Sequence, residues 1–243
     1  MRATKDKPLE GRNFQTIQTV SGHTYKKART VIVVPTRDGM ISTRVAPALF
    51  GMMAPPNQQR ALLFAQGHEV GQAYDAMIEG ILANPVMSKW EYVMTCEDDN
   101  IPPMDAHLKL AESIEWGKFD AISGIYFTKN EVGMPMAYGD PDEYRQSGVL
   151  DFAPRDIRSA LERGQIMEVN GIAMGCALWR MDTFRKIPKP WYVTVADVIP
   201  GKGAELMTQD LSFCKKMKQA GMRLAVDFRV RVGHLDVASN QLY

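Results

Sequence analysis

The chain has 243 residues and a mass of 27.2 kDa, with 45% hydrophobic and 23% charged residues, which excludes a wholly disordered polymer and is long enough to bury a sizeable core. The formal net charge is only +1, well below that of a protein living mainly on phosphate backbones. The balance is uneven: residues 1–30 hold seven basic and two acidic residues, a net +5, and the rest of the chain carries −4.

Residues 1–29 are polar, basic and without periodicity, and read as an N-terminal extension with a short hairpin near Ser21-Gly22. Thr30 to Pro35 (TVIVVP) is a β-branched apolar run that suits a strand covered on both faces. A loop, Thr36 to Gly39, leads to an apolar helix over about Ser42–Met53. Ala61 to Ala65 is a second short strand. A helix over about Gln72–Ala83 follows, its apolar residues three and four apart, and Pro85 stops it. Glu91 to Cys96 is a third strand, running straight into Glu97-Asp98-Asp99-Asn100. Pro102-Pro103 then opens a helix over about Met104–Trp116. This strand–helix alternation with short loops predicts a parallel sheet between helices.

The second half is more mixed. Asp120–Phe127 reads as a strand and 128–150, rich in Gly and Pro, as loop or hairpin. Pro154–Arg163 reads as helix, and Glu168–Arg180 as two short strands broken at Gly171. Asp182 is placed to N-cap a short helix up to Ile187. A helix over about Thr208–Ala220 stops at Gly221, a residue suited to the left-handed turn after a helix. Strands Met222–Val226 and Phe228–Val232 precede Gly233-His234. No repeat or linker separates the halves, so one sheet shared by both is expected.

Three cysteines far apart in sequence, with no CxxC, argue against a disulfide framework or thiolate zinc site and for a reducing, cytoplasmic setting. No apolar N-terminal segment resembles a signal peptide, and no run is long enough to span a bilayer.

The sharpest chemical feature is Glu97-Asp98-Asp99 at a strand end, where open α/β sheets bind ligands. Adjacent acids repel, and a cation or ligand donors relieve the repulsion. Continued strand geometry would send Glu97 and Asp99 to one side and Asp98 to the other. Such a pair suits Mg²⁺ or Mn²⁺ held with a phosphate; a solvated acidic turn is the plainer alternative. His234, expected to be freely exposed beyond the last strand, is either a ligand favouring Mn²⁺ or a structural residue. Asp210 stands in a first helical turn, as a dipole partner or as a general base whose pKa that position would lower. Arg37 and Asp38 follow the first strand, where a nucleotide docks, or form a surface turn. Gly171–Gly175 permits close backbone approach. Trp191 and Tyr192 either stack on a sugar or cover the core. No P-loop, Rossmann fingerprint, zincin or nucleophile-elbow pattern occurs.

In their order these segments resemble the GT-A type of glycosyltransferase, close to the family-2-like inverting group. Val34-Pro35-Thr36 is similar to that group's opening strand, and Tyr92–Pro103 (YVMTCEDDNIPP) to its DXD region. Asn170–Ile187 resembles its acceptor-side strand and short helix, and Thr208–Leu235 its base-bearing helix, following strand and terminal histidine. The resemblance spans about residues 30–235 and implies an α/β fold: a Rossmann-type sandwich on a mostly parallel sheet. It implies one GT-A domain over 30–243, with a nucleotide-binding half (30–118) and an acceptor-side half (119–243). The activity implied is metal-dependent transfer of a sugar from a nucleoside-diphosphate sugar, a UDP- or GDP-sugar, to an acceptor hydroxyl, with inversion.

The roles implied are specific. Asp99, with His234 and Glu97, would hold Mn²⁺ or Mg²⁺. Glu97 and Asp98 would contact the donor, and Pro35, Thr36, Arg37 and Asp38 would line its nucleotide pocket. Asp210 would be the base. The family's acidic turn after the second strand is here Gln66-Gly67-His68, so the nucleotide is not specified. The QxxRW signature of processive synthases is missing. A sugar-phosphate nucleotidyltransferase and a catalytically silent nucleotide-sugar-binding module are the competing readings. The acceptor is open among sugar, lipid, protein and modified DNA. No nucleic-acid-binding motif is present.

Overall fold

The structure, a computed structural model, describes residues 27–199 and 203–243, without the side chains of 197–205. Most of the expected basic extension, including Ser21-Gly22, lies outside the described residues. Its last residues do not behave as an arm. Ala28 is buried, and Arg29 donates from its backbone and guanidinium to the Glu91 carboxylate at 2.7–3.1 Å.

The first half alternates as its sequence predicts. β1 (Thr30–Thr36), α1 (Ala46–Gly51), β2 (Arg60–Gln66), α2 (Val70–Ala83) and β3 (Tyr92–Cys96) are followed by β4 (Asn100–Ile101) and α3 (Ala106–Gly117). Helix α1 is shorter than expected. Ser42 does not join it but accepts the backbone N–H groups of Val45 and Ala46 at 2.9 Å in a preceding turn. Helix α2 is capped by Glu69, whose side chain accepts the Gln72 N–H at 3.2 Å.

The second half runs β5 (Ala121–Ile125), β6 (Ala137–Tyr138), α4 (Pro141–Ser147), α5 (Arg158–Arg163), β7 (Ile166–Val169), β8 (Gly171–Ile172), β9 (Cys176–Arg180) and α6 (Met181–Lys186). Then come β10 (Val195–Ile199), β11 (Gly203–Met207), α7 (Gln209–Gln219), β12 (Leu224–Arg231), β13 (Gly233–Asp236) and β14 (Gln241–Leu242). Helix α4 interrupts the stretch expected to be loop. Asp140 caps it by accepting the Asp142 N–H at 2.8 Å, Pro141 opens it, and Gly148 ends it at φ +71°. Asp182 does not cap α6. The helix starts one residue earlier, and Asp182 pairs instead with Arg185 one turn on. The two strands expected near the C-terminus are one, β12, with a register shift between Asp227 and Arg231.

Seven strands form the central sheet in the order β2-β1-β3-β9-β5-β12-β7. The pairs β2/β1, β1/β3 and β5/β12 are parallel; β9 and β7 run against their neighbours. Strands of both halves therefore share one mostly parallel sheet. β1 is buried at all seven positions because both faces are covered. Its alternation divides the core: Val31 and Val33 join the cluster holding Tyr74, Trp179 and Phe213, and Ile32 and Val34 join that holding Leu49, Leu110 and Val230. Burial contributes about 2 kcal/mol for each such side chain. Trp191 and Tyr192 belong to this interior, 2% and 3% exposed, with Tyr192 4.7 Å from the Phe213 ring. Of their two readings, core cover is the one realised. Cys96 and Cys176, distant in sequence, lie opposite each other on β3 and β9; both are buried free thiols. No described helix is long and apolar enough to cross a membrane.

Candidate active site

Strands β1, β2, β3 and β5 deliver their C-terminal ends to one edge of the sheet. There the chain leaving β3 turns sharply, the Asn100 N–H donating to the Glu97 carbonyl at 3.2 Å. Glycine at 175 makes the turn possible: a Cβ there would stand 2.1 Å from Asn100 Oδ1. The Gly175 N–H donates to the Tyr126 hydroxyl oxygen at 2.8 Å, and the Glu97 N–H to the Gly175 carbonyl at 3.3 Å. Of the segment expected to permit close approach, Gly175 thus approaches the acidic turn, while Gly171 packs against Leu211 and Phe152.

β4 then pairs with β13, Asn100 opposite His234, and the Leu235 N–H donates to the Asp99 carbonyl at 2.8 Å. This small sheet binds the acidic turn to the C-terminal segment. His234 is consequently not freely exposed as the sequence led us to expect. It is 9% exposed, in a strand, with its ring edge-on to Tyr126 at 5.3 Å. Its Nδ1 lies 2.6 Å from the Phe127 carbonyl oxygen. A carbonyl only accepts, so Nδ1 carries the hydrogen, and in the neutral ring Nε2 keeps its lone pair. Nε2 faces Asp99 Oδ2 at 3.7 Å, too far for a hydrogen bond.

Asp99 is the centre of this arrangement. Burial pushes its carboxyl up, but the charge and hydrogen bond of the Lys129 ammonium, with His234 beside it, hold it below its ordinary value. Lys129 pairs with Oδ2. Oδ1 is buried and has no hydrogen-bond partner among the described residues, which is the condition of an atom awaiting a donor or cation. Glu97 is treated differently. Burial first, then the charges of Asp99 and Asp210, push it up to about 8. It is therefore mostly protonated at neutral pH. Burial and Asp99 also raise Asp98, against a backbone hydrogen bond from Arg37.

Asp210 opens α7. Its Oδ1 accepts from the Thr208 hydroxyl and from the Leu211 N–H, the latter at 2.9 Å. The helix start was expected to lower its pKa. Burial prevails over those hydrogen bonds and raises it, which brings a general base nearer to its working range. Asp210 also acts on the titration of Glu97, Tyr126 and Tyr138, so α7 faces the acidic turn across 113 residues of sequence.

The β1 loop closes the other side. Pro35 is buried opposite Ala65, and buried Thr36 donates from Oγ1 to the Ala65 carbonyl at 3.4 Å. Arg37 and Asp38 are exposed. The Asp38 side chain accepts the Met40 N–H at 3.0 Å, and its carbonyl accepts Gln66 Nε2 at 2.9 Å. Gln66, the departure from the resembled pattern, thus laces the β1 and β2 loops together.

The structure brings Glu97, Asp98, Asp99, His234 and Asp210 to one edge, with Arg37 against Asp98. Among the described residues no three His, Cys, Asp or Glu side chains form a ready metal site. Glu97 does not complete one with Asp99 and His234. Those two still fit a divalent cation that arrives with a ligand: one offers an unpartnered carboxylate oxygen and the other a free imidazole lone pair. Mg²⁺-type sites commonly use one or two protein groups plus phosphate oxygens. Lys129, Tyr126 and the Phe127 carbonyl are site elements the sequence reading missed; they sit in or beside a Gly-interrupted loop that carries no motif. A groove of about 980 Å³ lies elsewhere, lined by Glu112, Trp116, Gln165 and Arg229, and contains none of these residues.

No protein-family model matches the chain, and no curated protein matches it in sequence. Solved structures do match. One is A197 from STIV, with a TM-score of 0.56 and 17% identity over 88% of this chain and 92% of that one. Another is GalNAc-T7, a GT-A glycosyltransferase solved with UDP, GalNAc and Mn²⁺, with a TM-score of 0.56 and 11% identity. That match covers 86% of this chain and 44% of the GalNAc-T7 chain, so the present chain spans less than half of its length. The protein has the GT-A type of α/β fold.

Proposed function

We propose that the protein is a glycosyltransferase that moves a sugar from a nucleoside-diphosphate sugar to an acceptor hydroxyl, in a divalent-cation-dependent, inverting reaction. The observation that carries the reading is that Asp210 lies near enough to Glu97 for its charge to raise that carboxyl, on a fold shared with a glycosyltransferase solved with UDP and Mn²⁺.

In this reading the loop from Pro35 to Asp38 receives the nucleotide, with Asp98 and Glu97 beside it. A protonated Glu97 donates a hydrogen bond where a charged one would repel the donor's phosphates. The diphosphate faces Asp99 and His234. These would hold Mn²⁺ or Mg²⁺, which supplies positive charge where negative charge develops as the anomeric C–O bond breaks. Asp210 removes the proton from the attacking hydroxyl, and its raised pKa suits it to that task. A base opposite the leaving diphosphate gives inversion in one displacement.

The test is calorimetry with UDP and with GDP, in Mn²⁺ and in chelator. One of the two nucleotides should bind in Mn²⁺ and lose most of its affinity in chelator. Equal affinity in both conditions would remove Asp99 and His234 as cation ligands.

A further inference from the structure

We propose that Lys129 is a displaceable counter-cation of the diphosphate site. It occupies Asp99 while no nucleotide is bound and gives up that carboxylate when a divalent cation enters with the diphosphate. The inference rests on the cation-dependent reading above.

Three observations carry it. First, the Lys129 ammonium pairs with Asp99 Oδ2, the same oxygen that faces His234 Nε2 at 3.7 Å. An ammonium has no lone pair and cannot share a metal's coordination shell, and two cations on one carboxylate repel. Oδ1 is left without a partner, but Oδ2 is the oxygen on the His234 side. A metal that bridges His234 and Asp99 through Oδ2 therefore has to take the place of Lys129, and one on Oδ1 would still share the carboxylate with a repelling ammonium.

Second, Lys129 is held over the site by a shaped turn. The Thr128 N–H donates to the Met134 carbonyl at 2.9 Å, and the Met134 N–H donates to Thr128 Oγ1 at 2.9 Å. Asn130 Oδ1 accepts the Gly133 N–H at 2.8 Å, with Gly133 at φ +60°. Phe127, two residues before Lys129, supplies the carbonyl that orients His234. One short segment thus prepares the imidazole and blocks the carboxylate.

Third, the pair is reachable, with side chains 28% and 24% exposed, so water can rehydrate both charges as the pair separates. A diphosphate arriving with the metal gives the released ammonium a new anion. Metal and nucleotide should therefore bind together far better than the metal binds alone.

The test is Mn²⁺ titration by electron paramagnetic resonance, without nucleotide and with UDP or GDP, on wild type, Lys129→Met and Lys129→Arg. Lys129→Met should bind Mn²⁺ alone roughly five- to tenfold more tightly than wild type, the effect of freeing a partly exposed carboxylate. The gain that the nucleotide adds should shrink by a similar factor. Lys129→Arg should stay near wild type. Equal Mn²⁺ affinity in wild type and Lys129→Met, with nucleotide-dependent Mn²⁺ binding intact, would overturn the role of Lys129 alone. Nucleotide binding that ignores Mn²⁺ and is lost in Lys129→Met would make the lysine a permanent substitute for the metal, and would also overturn the displacement. Failure of wild type to bind Mn²⁺ with either nucleotide would overturn the cation-dependent reading together with this inference.

Discussion

Asp227 in β12 and the acids that follow β3 are all carboxylates set among packed strands, but their surroundings are opposite. Asp227 is fully buried, and its oxygens accept Ser113 Oγ at 2.7 Å, Arg229 Nη2 at 2.8 Å, Arg229 Nε at 3.0 Å and the Arg229 N–H at 3.0 Å. The acidic turn keeps an unpartnered oxygen on Asp99, and places Asp99, Asp98 and Asp210 where each raises the titration of Glu97. A carboxylate kept for structure is surrounded by donors. One left short of them is costly in the ligand-free protein, which is consistent with the donor-binding role proposed for this turn.

Breaking the satisfied site should have the largest effect. Arg229→Met leaves Asp227 buried with only Ser113 and the backbone, and should cost about 3–5 kcal/mol in urea denaturation. A loss below 1 kcal/mol would mean that Asp227 is not sustained by its guanidinium.

The unsatisfied site should respond to pH instead. The folded-state pKa of Glu97 lies near 8, above its ordinary 4.5, so its contribution to stability is fully present below about 4.5 and is lost as pH rises through about 8. Glu97→Gln cannot ionise. It should gain on wild type across that window by up to about 1.4 kcal/mol per pH unit. Melting curves that run parallel from pH 5 to 9 would contradict the crowding of the acids.

His107 sharpens the contrast from the acid side. It is buried on α3, with Nε2 2.8 Å from Thr30 Oγ1, and burial lowers its pKa from 6.5 to about 4. Its contribution is present above about 6.5 and is lost as pH falls through about 4. His107→Gln should flatten the acid limb of the stability profile and leave the alkaline limb, set by Glu97, unchanged. The smallest effect belongs to the half-exposed Arg29–Glu91 pair. Arg29→Ala should cost about 1 kcal/mol or less by thermal denaturation, and less still in high salt.

Much of the sheet was legible in the sequence because its strands are covered on both faces. TVIVVP and EYVMTC need no partner to be recognised as buried strands. Helix α4 was legible in principle from Asp140-Pro141 and Gly148, but the glycines and prolines around it read as loop. The β10–β11 hairpin went unforeseen because VADVI and GAELM offer no continuous apolar run, although Pro200-Gly201 between them is a turn signal. It includes Asp197 and Glu205, whose side chains lie outside those described. The acidic turn stood out by composition alone. The burial of His234 did not, because it depends on β4, a two-residue strand that exists only once the chain is folded. Lys129 was hidden for the same reason: its partner is 30 residues away and its loop has no motif. The rise of the Asp210 pKa was misread because helix position is a local property and burial is a tertiary one.

The central claim is that Asp210 and the acidic turn form one reaction site, and release of free nucleoside diphosphate tests it most directly. A panel of UDP- and GDP-sugars should be incubated in Mn²⁺ with wild type and with Asp210→Asn, with nucleotide binding measured on both. At least one donor should yield nucleoside diphosphate with wild type. Asp210→Asn should slow that release by about a hundred- to ten-thousand-fold while binding the nucleotide as wild type does. Release at near the wild-type rate from Asp210→Asn would show that Asp210 only begins a helix, and would contradict the account.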